Sequence, residues 1–162
     1  MQYHDLVQPD QLTKKEKEDG MGAYLMMFAS IGAGLPLPII NLLASVIYYF
    51  IQKKNSRFVR FHSLQSLFSQ LPTTLVNAVA MFWTLQIYVF RNFDQTDYYI
   101  GYMIMMVILN LTYFTFSIIG AIKARAGKMY YFMFFGKLCY HQVYQIRPES
   151  EYKKEVNLPP SL

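Results

Sequence analysis

The sequence predicts an all-α, polytopic membrane protein: a four-helix bundle with a proline-broken first hairpin and an interfacial C-terminal segment. Two observations carry that prediction. Hydrophobic residue types make up 54% of the 162 residues and charged types only 15%, against roughly 25% charged in an ordinary soluble domain. The charges are also missing from three long windows: Gly20 to Ile51, Phe61 to Phe90 and Tyr98 to Ile122 contain no Asp, Glu, Lys or Arg. A helix needs about 20 apolar residues to cross a ~30 Å hydrocarbon layer, and each window exceeds that. A soluble domain of this length has too little other surface to cover three such helices.

The first window carries Gly32, Gly34, Pro36 and Pro38 in its middle. A proline inside a helix removes a backbone hydrogen bond and clashes with the preceding turn. The window therefore splits into one short helix near Met21 to Ala33 and another near Pro38 to Ile51. Charge decides how the halves run. Lys14, Lys15 and Lys17 precede the first window. Lys53, Lys54, Arg57 and Arg60 follow it, and Lys123, Arg125 and Lys128 lie at or just after the end of the third. If the first window turns back on itself, all of these share one side, opposite Arg91, Asp94 and Asp97. The positive-inside rule favours that hairpin and places both termini on the cytoplasmic or equivalent side of a bacterial or organellar inner membrane.

Three segments follow: a polar N-terminal tail (1–19), a transmembrane helical domain with its interfacial segment (20–147), and a polar C-terminal tail (148–162). The first 19 residues are mixed in charge and unlike a cleavable signal peptide. The run MYYFMFFGKL, Met129 to Leu138, is aromatic and too short to span, so it is assigned to the headgroup boundary, where aromatic rings satisfy both an apolar body and a polar tip. The net charge of +5 sits at the window ends, beside lipid headgroups, and implies no nucleic-acid partner.

His62, Ser66, Ser69, Thr73 and Asn77 follow steps of three or four and fall along one helical face. Asn41 with Ser45, and Asn110 with Ser117, extend the polar set to the other windows. Polar side chains facing lipid are costly, so these stripes point into the bundle, either as interhelical hydrogen-bond glue or as a hydrophilic groove. His62 has no acidic partner nearby in sequence and is assigned a structural, interfacial role. His4 and His141 lack zinc-ligand spacing, and Cys139 stands alone. No cofactor, metal or enzymatic activity is expected. Gly120, Ala124 and Gly127 permit close helix approach.

Two stretches resemble a known family. LPLPII and YYFIQKKNSRFVRFHSLQSLFSQ lie within residues 35–70, and IIGAIKARAGKMYYF covers 118–132. This order is similar to small bacterial four-helix membrane proteins of unknown function related to the twenty-kilodalton subunit of the chloroplast inner-envelope protein import translocon (the Tic complex). Arg60, Phe61, His62 and Gln65 fill that family's helix start. Gly120, Ala121, Lys123, Ala124 and Gly127 fill its helix end. The family usually carries a proline after the aromatic run, where this chain has Phe134, Phe135 and Gly136. The resemblance implies a four-helix bundle and assigns little activity.

The functional expectation is a non-enzymatic membrane subunit that packs against and stabilises a larger membrane complex, with the lipid bilayer as its other partner. The alternative is a channel or scaffold component of a protein-translocation machinery. The residues expected to hold structure or contact partners are Pro36, Pro38, Arg60, His62, Gln65, Ser66, Asn77, Asn110, Gly120, Lys123 and Gly127. A channel component would keep an open groove along Ser66, Thr73 and Asn77; a structural subunit would pack that seam shut.

Overall fold

A capping box starts the first helix. In the computed structural model, which describes residues 2–29 and 38–146, Thr13 accepts the Glu16 backbone N–H at 3.2 Å while the Glu16 carboxylate accepts the Thr13 N–H at 2.8 Å. The Thr13 backbone bond holds the Glu16 carboxyl below its ordinary range. Helix α1, Lys14–Leu25, therefore begins ahead of the apolar window and closes in a 3-10 turn, Met26–Phe28. Pro38 is the first residue of α2, Pro38–Gln52, a position where proline costs no hydrogen bond. Pro36 and the expected break from Gly32 onward otherwise lie outside the described residues.

Helix α3 runs Arg57–Tyr88 and contains Pro72, which cannot donate to the carbonyl one turn back. Helix α4 runs Asp97–Arg125. Thr96 caps it, Asp97 lies in its first turn and Lys123 and Arg125 in its last, all matching the helix dipole. Gly127 ends it at φ 73°, a left-handed conformation that glycine adopts without strain.

The aromatic run is not one continuous element. It is extended through Phe132 and then forms α5, Met133–Tyr144. The cause is a buried face: Cys139, Val143 and Tyr144 pack with Phe61 and Leu64 of α3. The described residues thus hold five helices rather than four, and no strand beyond a single antiparallel bridge between Tyr3 and Gln145. One of these helices, α4, is long and apolar enough to cross a membrane; α2 is apolar but shorter.

Interhelical contacts fix the directions. The Tyr48 hydroxyl donates to the Asp19 carbonyl at 2.6 Å, so the middle of α1 lies level with the C-terminal part of α2. Arg125 pairs with Glu18 at 2.6 Å while Tyr24 lies against Gly120, so α1 and α4 are antiparallel. Thr84 meets Tyr99, and Asn77 meets Asn110, making α3 and α4 antiparallel. The two apolar clusters both sit at the end that holds the α3 start and the α4 end: Leu12, Tyr24, Phe58, Val59, Ala121 and Ala124 form one, and the α5 contact forms the other. The opposite end is the bare α3–α4 hairpin.

Candidate functional site

A polar network sits inside the packed end, on the second and third turns of α3. Gln65 donates through Nε2 to the Tyr24 hydroxyl at 2.6 Å and to the Tyr130 carbonyl at 2.9 Å, and its Oε1 accepts the Phe132 N–H at 3.1 Å. One carboxamide thereby joins α1, α3 and the segment leading to α5. The Tyr24 hydroxyl accepts from Gln65, so its own proton is directed to His62 Nδ1, 2.9 Å away. His62 is then the neutral tautomer protonated on Nε2, an atom that has no hydrogen-bond partner. The rings of Phe58 and Phe61 stand edge-on to the imidazole at 4.5 and 5.1 Å. His62 is 0% exposed, enclosed rather than standing at a boundary.

Gly120 makes this network possible. A Cβ added there would lie 2.9 Å from the Tyr24 ring, so only a bare α-carbon on α4 lets the tyrosine reach across. Ser66 closes the next turn by donating to the Ala23 carbonyl at 2.7 Å. Arg60 is half-buried in the first turn of α3, Lys123 is exposed on α4, and Gly127 is buried beneath Pro9 and Lys17.

Farther along α3 the seam opens. Asn77 and Asn110 exchange paired amide bonds of 2.9 and 2.7 Å, and Asn110 also donates to the Met106 carbonyl. These two residues, with Asn41, Gln70, Thr73 and Thr74, provide the polar lining of a groove of about 360 Å³ whose other walls include Met27, Met106 and Phe114. Ser69, Gln70 and Ser117 surround the Tyr113 hydroxyl, yet the side-chain polar atoms of Gln70, Tyr113 and Ser117 do not reach hydrogen-bond geometry. The seam is therefore shut at Ser66 and open at Thr73 and Asn77.

Sequence spacing placed His62, Ser66 and Ser69 on one face but missed Tyr24, which binds two of the network's members. An isolated tyrosine in an apolar window carries no spacing signal. Tyr113 was missed for the same reason; Gln70 was missed although it lies four residues after Ser66 and three before Thr73, a spacing that carried the signal. Burial pushes the Cys139 thiol up to about 12, far from a reactive thiolate. Among the described residues no three His, Cys, Asp or Glu side chains gather in a metal-binding cluster.

Outward-facing side chains are of the opposite kind. Leu43, Ile47, Leu75, Ile104 and Leu111 are each more than half exposed, while Ser63, Gln65, Ser66, Ser69 and Gln70 on α3 are buried. Polar groups turned in and apolar groups turned out define a small helical protein built for an apolar surround. The model of the MamF/MmsF family, the magnetosome magnetite crystal formation protein family, matches residues 18–139, and the chain belongs to that family. Its members are magnetosome membrane proteins involved in magnetite crystal formation. This match overturns the resemblance to the import-translocon relatives, which rested on the helix-start and helix-end motifs at Arg60 to Gln65 and Gly120 to Gly127. The translocation reading rested on that resemblance and is abandoned with it. No curated protein and no solved structure matches the chain.

Proposed function

We propose that this chain is a polytopic, non-enzymatic protein of the magnetosome membrane that contributes to magnetite crystal formation as a packing subunit of a larger membrane assembly. The observation that carries the reading is the inversion of polarity. Apolar stripes on α2, α4 and the second half of α3 face outward, where a lipid bilayer or neighbouring helices would cover them. The polar side chains of α3 are turned inward, and those of the Tyr24–His62–Gln65 network spend their hydrogen bonds on one another and on backbone. Gln65 and Tyr24 act as fasteners, and His62 positions Tyr24 rather than exchanging protons with a substrate. Basic residues gathered at one end, from Lys14 to Lys17, Lys53 to Arg60 and Lys123 to Lys128, support both termini on the same side.

Deletion of the gene in magnetosome-forming cells, with fractionation of the tagged chain, tests this directly. The chain is expected to stay in the magnetosome membrane pellet after alkaline washing, to migrate on native gels well above 19.0 kDa, and its loss to change magnetite crystal size or shape. Release by alkaline washing would refute the integral-membrane reading, migration as a monomer in several mild detergents the subunit reading, and unchanged crystals the crystal-formation role. Labelling of Lys17→Cys and Asn55→Cys from opposite sides of the membrane would refute the hairpin.

A further inference from the structure

Where the chain's N-terminal segment crosses the start of α3, a second cavity opens, unrelated to the groove above. It measures about 310 Å³ and is lined by His4, Arg57, Arg60, Gln142, Val143 and Gln145. We propose that this cavity binds a phosphate-class anion: free inorganic phosphate or the phosphate of a lipid headgroup.

The fold assembles it from three directions. Arg57 and Arg60 are three apart in the first turn of α3 and lie on neighbouring positions of one face. Gln142 comes from the last turn of α5. His4 and Gln145 are brought in by the short antiparallel pairing of the chain's beginning with the end of α5, where His4 N–H donates to the Tyr144 carbonyl at 2.8 Å and Ile146 N–H to the Gln2 carbonyl at 2.8 Å. The His4 Nε2 lies 3.2 Å from Arg57 Nη2. Since the guanidinium has only donors, that nitrogen accepts, and it holds Arg57 over the cavity.

The charge is one-sided. Among the described residues no carboxylate lines the cavity and neither arginine has an acidic partner; the ion pair found there joins Glu18 and Arg125. The first turn of α3 also lacks an acidic residue, so the positive end of that long helix adds to the two guanidinium charges. Arg60 is half-buried, and its Nε is enclosed without a hydrogen-bond partner. Two cations held near one another at a helix start, without counter-charge, repel unless an anion enters. Donor number selects the anion's class. Two guanidinium forks and two carboxamides offer more N–H groups than the two oxygens of a carboxylate accept, whereas a phosphate presents three or four oxygens in the geometry an arginine fork fits.

The full-length protein in a neutral maltoside detergent is titrated calorimetrically with inorganic phosphate and, separately, with monomeric dihexanoyl phosphatidylglycerol, using dihexanoyl phosphatidylcholine as the zwitterionic control. Saturable binding of at least one of the first two is expected, weakened about tenfold or more in Arg57→Gln/Arg60→Gln, as loss of a charge-assisted bond predicts. Binding of phosphate alone assigns a free anion; binding of the glycerophospholipid over its choline counterpart assigns a headgroup. A smaller weakening is expected in Gln142→Leu, an exposed substitution that leaves the helix intact. Saturation by neither probe overturns the proposal, as does wild-type affinity in the double variant. If the double variant does not fold, wild-type affinity in Gln142→Leu overturns it.

Discussion

Helix α3 runs through two polar regions that solve the same problem in different ways. At its start, Gln65 and His62 are sealed among α1, α4 and the approach to α5, and the three bonds of Gln65 reach two other segments, α1 and the approach to α5. Past Pro72, Asn77 meets a single partner, Asn110, across a two-helix hairpin whose flanks Leu75, Phe82 and Leu111 are exposed. The first region fastens several segments with one side chain; the second fastens two helices with a matched pair. Enclosure makes the first rigid and intolerant. Openness leaves the second with a groove and a modest hold.

The sharpest way to break the contrast is Gln65→Leu. It strands the Tyr130 carbonyl and the Phe132 N–H in the interior, and about 3 kcal/mol of stability should be lost. Thermal unfolding in detergent, followed by near-ultraviolet circular dichroism, reads this out; an unchanged midpoint would show the network to be incidental. Gly120→Ala comes next. Its methyl would press on a tyrosine ring that is both buried and hydrogen-bonded, at a cost of about 1–3 kcal/mol. Tyr24→Phe in the same background should not deepen the loss by the full single-mutant amount, because both changes act on one contact.

In the open region, a double-mutant cycle of Asn77→Ala and Asn110→Ala should give a coupling of only about 0.6 kcal/mol, the usual scale for interhelical hydrogen bonds in a membrane. A coupling several times larger would abolish the distinction drawn above. Smallest of all is Glu18→Gln. Its pair with Arg125 is more than 40% exposed on both sides, so the change in stability should be barely detectable and vanish with added salt. At the N-terminus the Glu16 carboxyl is held below its ordinary 4.5 by the capping box. A depressed folded value contributes stability above the unfolded value and loses it as pH falls through the folded one. Protection factors of the Glu16 and Lys17 amides, corrected for the slower intrinsic exchange in acid, should therefore fall as the pH drops below about 4.5, before the core opens.

Much of the helical framework was legible in the charge-free windows. The reading placed a helix from Pro38 to Ile51 and the structure ends it at Gln52; the second and third windows became α3 and α4 with extra turns outside the apolar stretch. Those turns escaped because they are polar: Lys14 to Asp19 join α1 through the Thr13–Glu16 box, a pattern that local sequence does carry but hydropathy ignores. Helix α5 escaped because its aromatic residues satisfy an interface and a core equally well; the four-residue step from Cys139 to Val143 was the signal for a buried face. In the site, spacing aligned His62, Ser66 and Ser69 but could not reveal partners. Tyr24 lies 38 residues from His62, and Asn110 lies 33 from Asn77. Pairings over such distances follow from helix packing, which a single sequence does not encode at any fixed interval.

Gln65 also sets an order of events in biosynthesis. Its acceptors and donors include backbone 65 and 67 residues downstream. When α3 leaves the ribosome, the groups that will satisfy this carboxamide have not been synthesised, and α4 must be made and returned before they arrive. A carboxamide buried without partners is costly, so the start of α3 has to remain hydrated or shielded until Phe132 emerges. The lock at Gln65 is consequently the last part of the fold to close, after α3 and α4 have both been made.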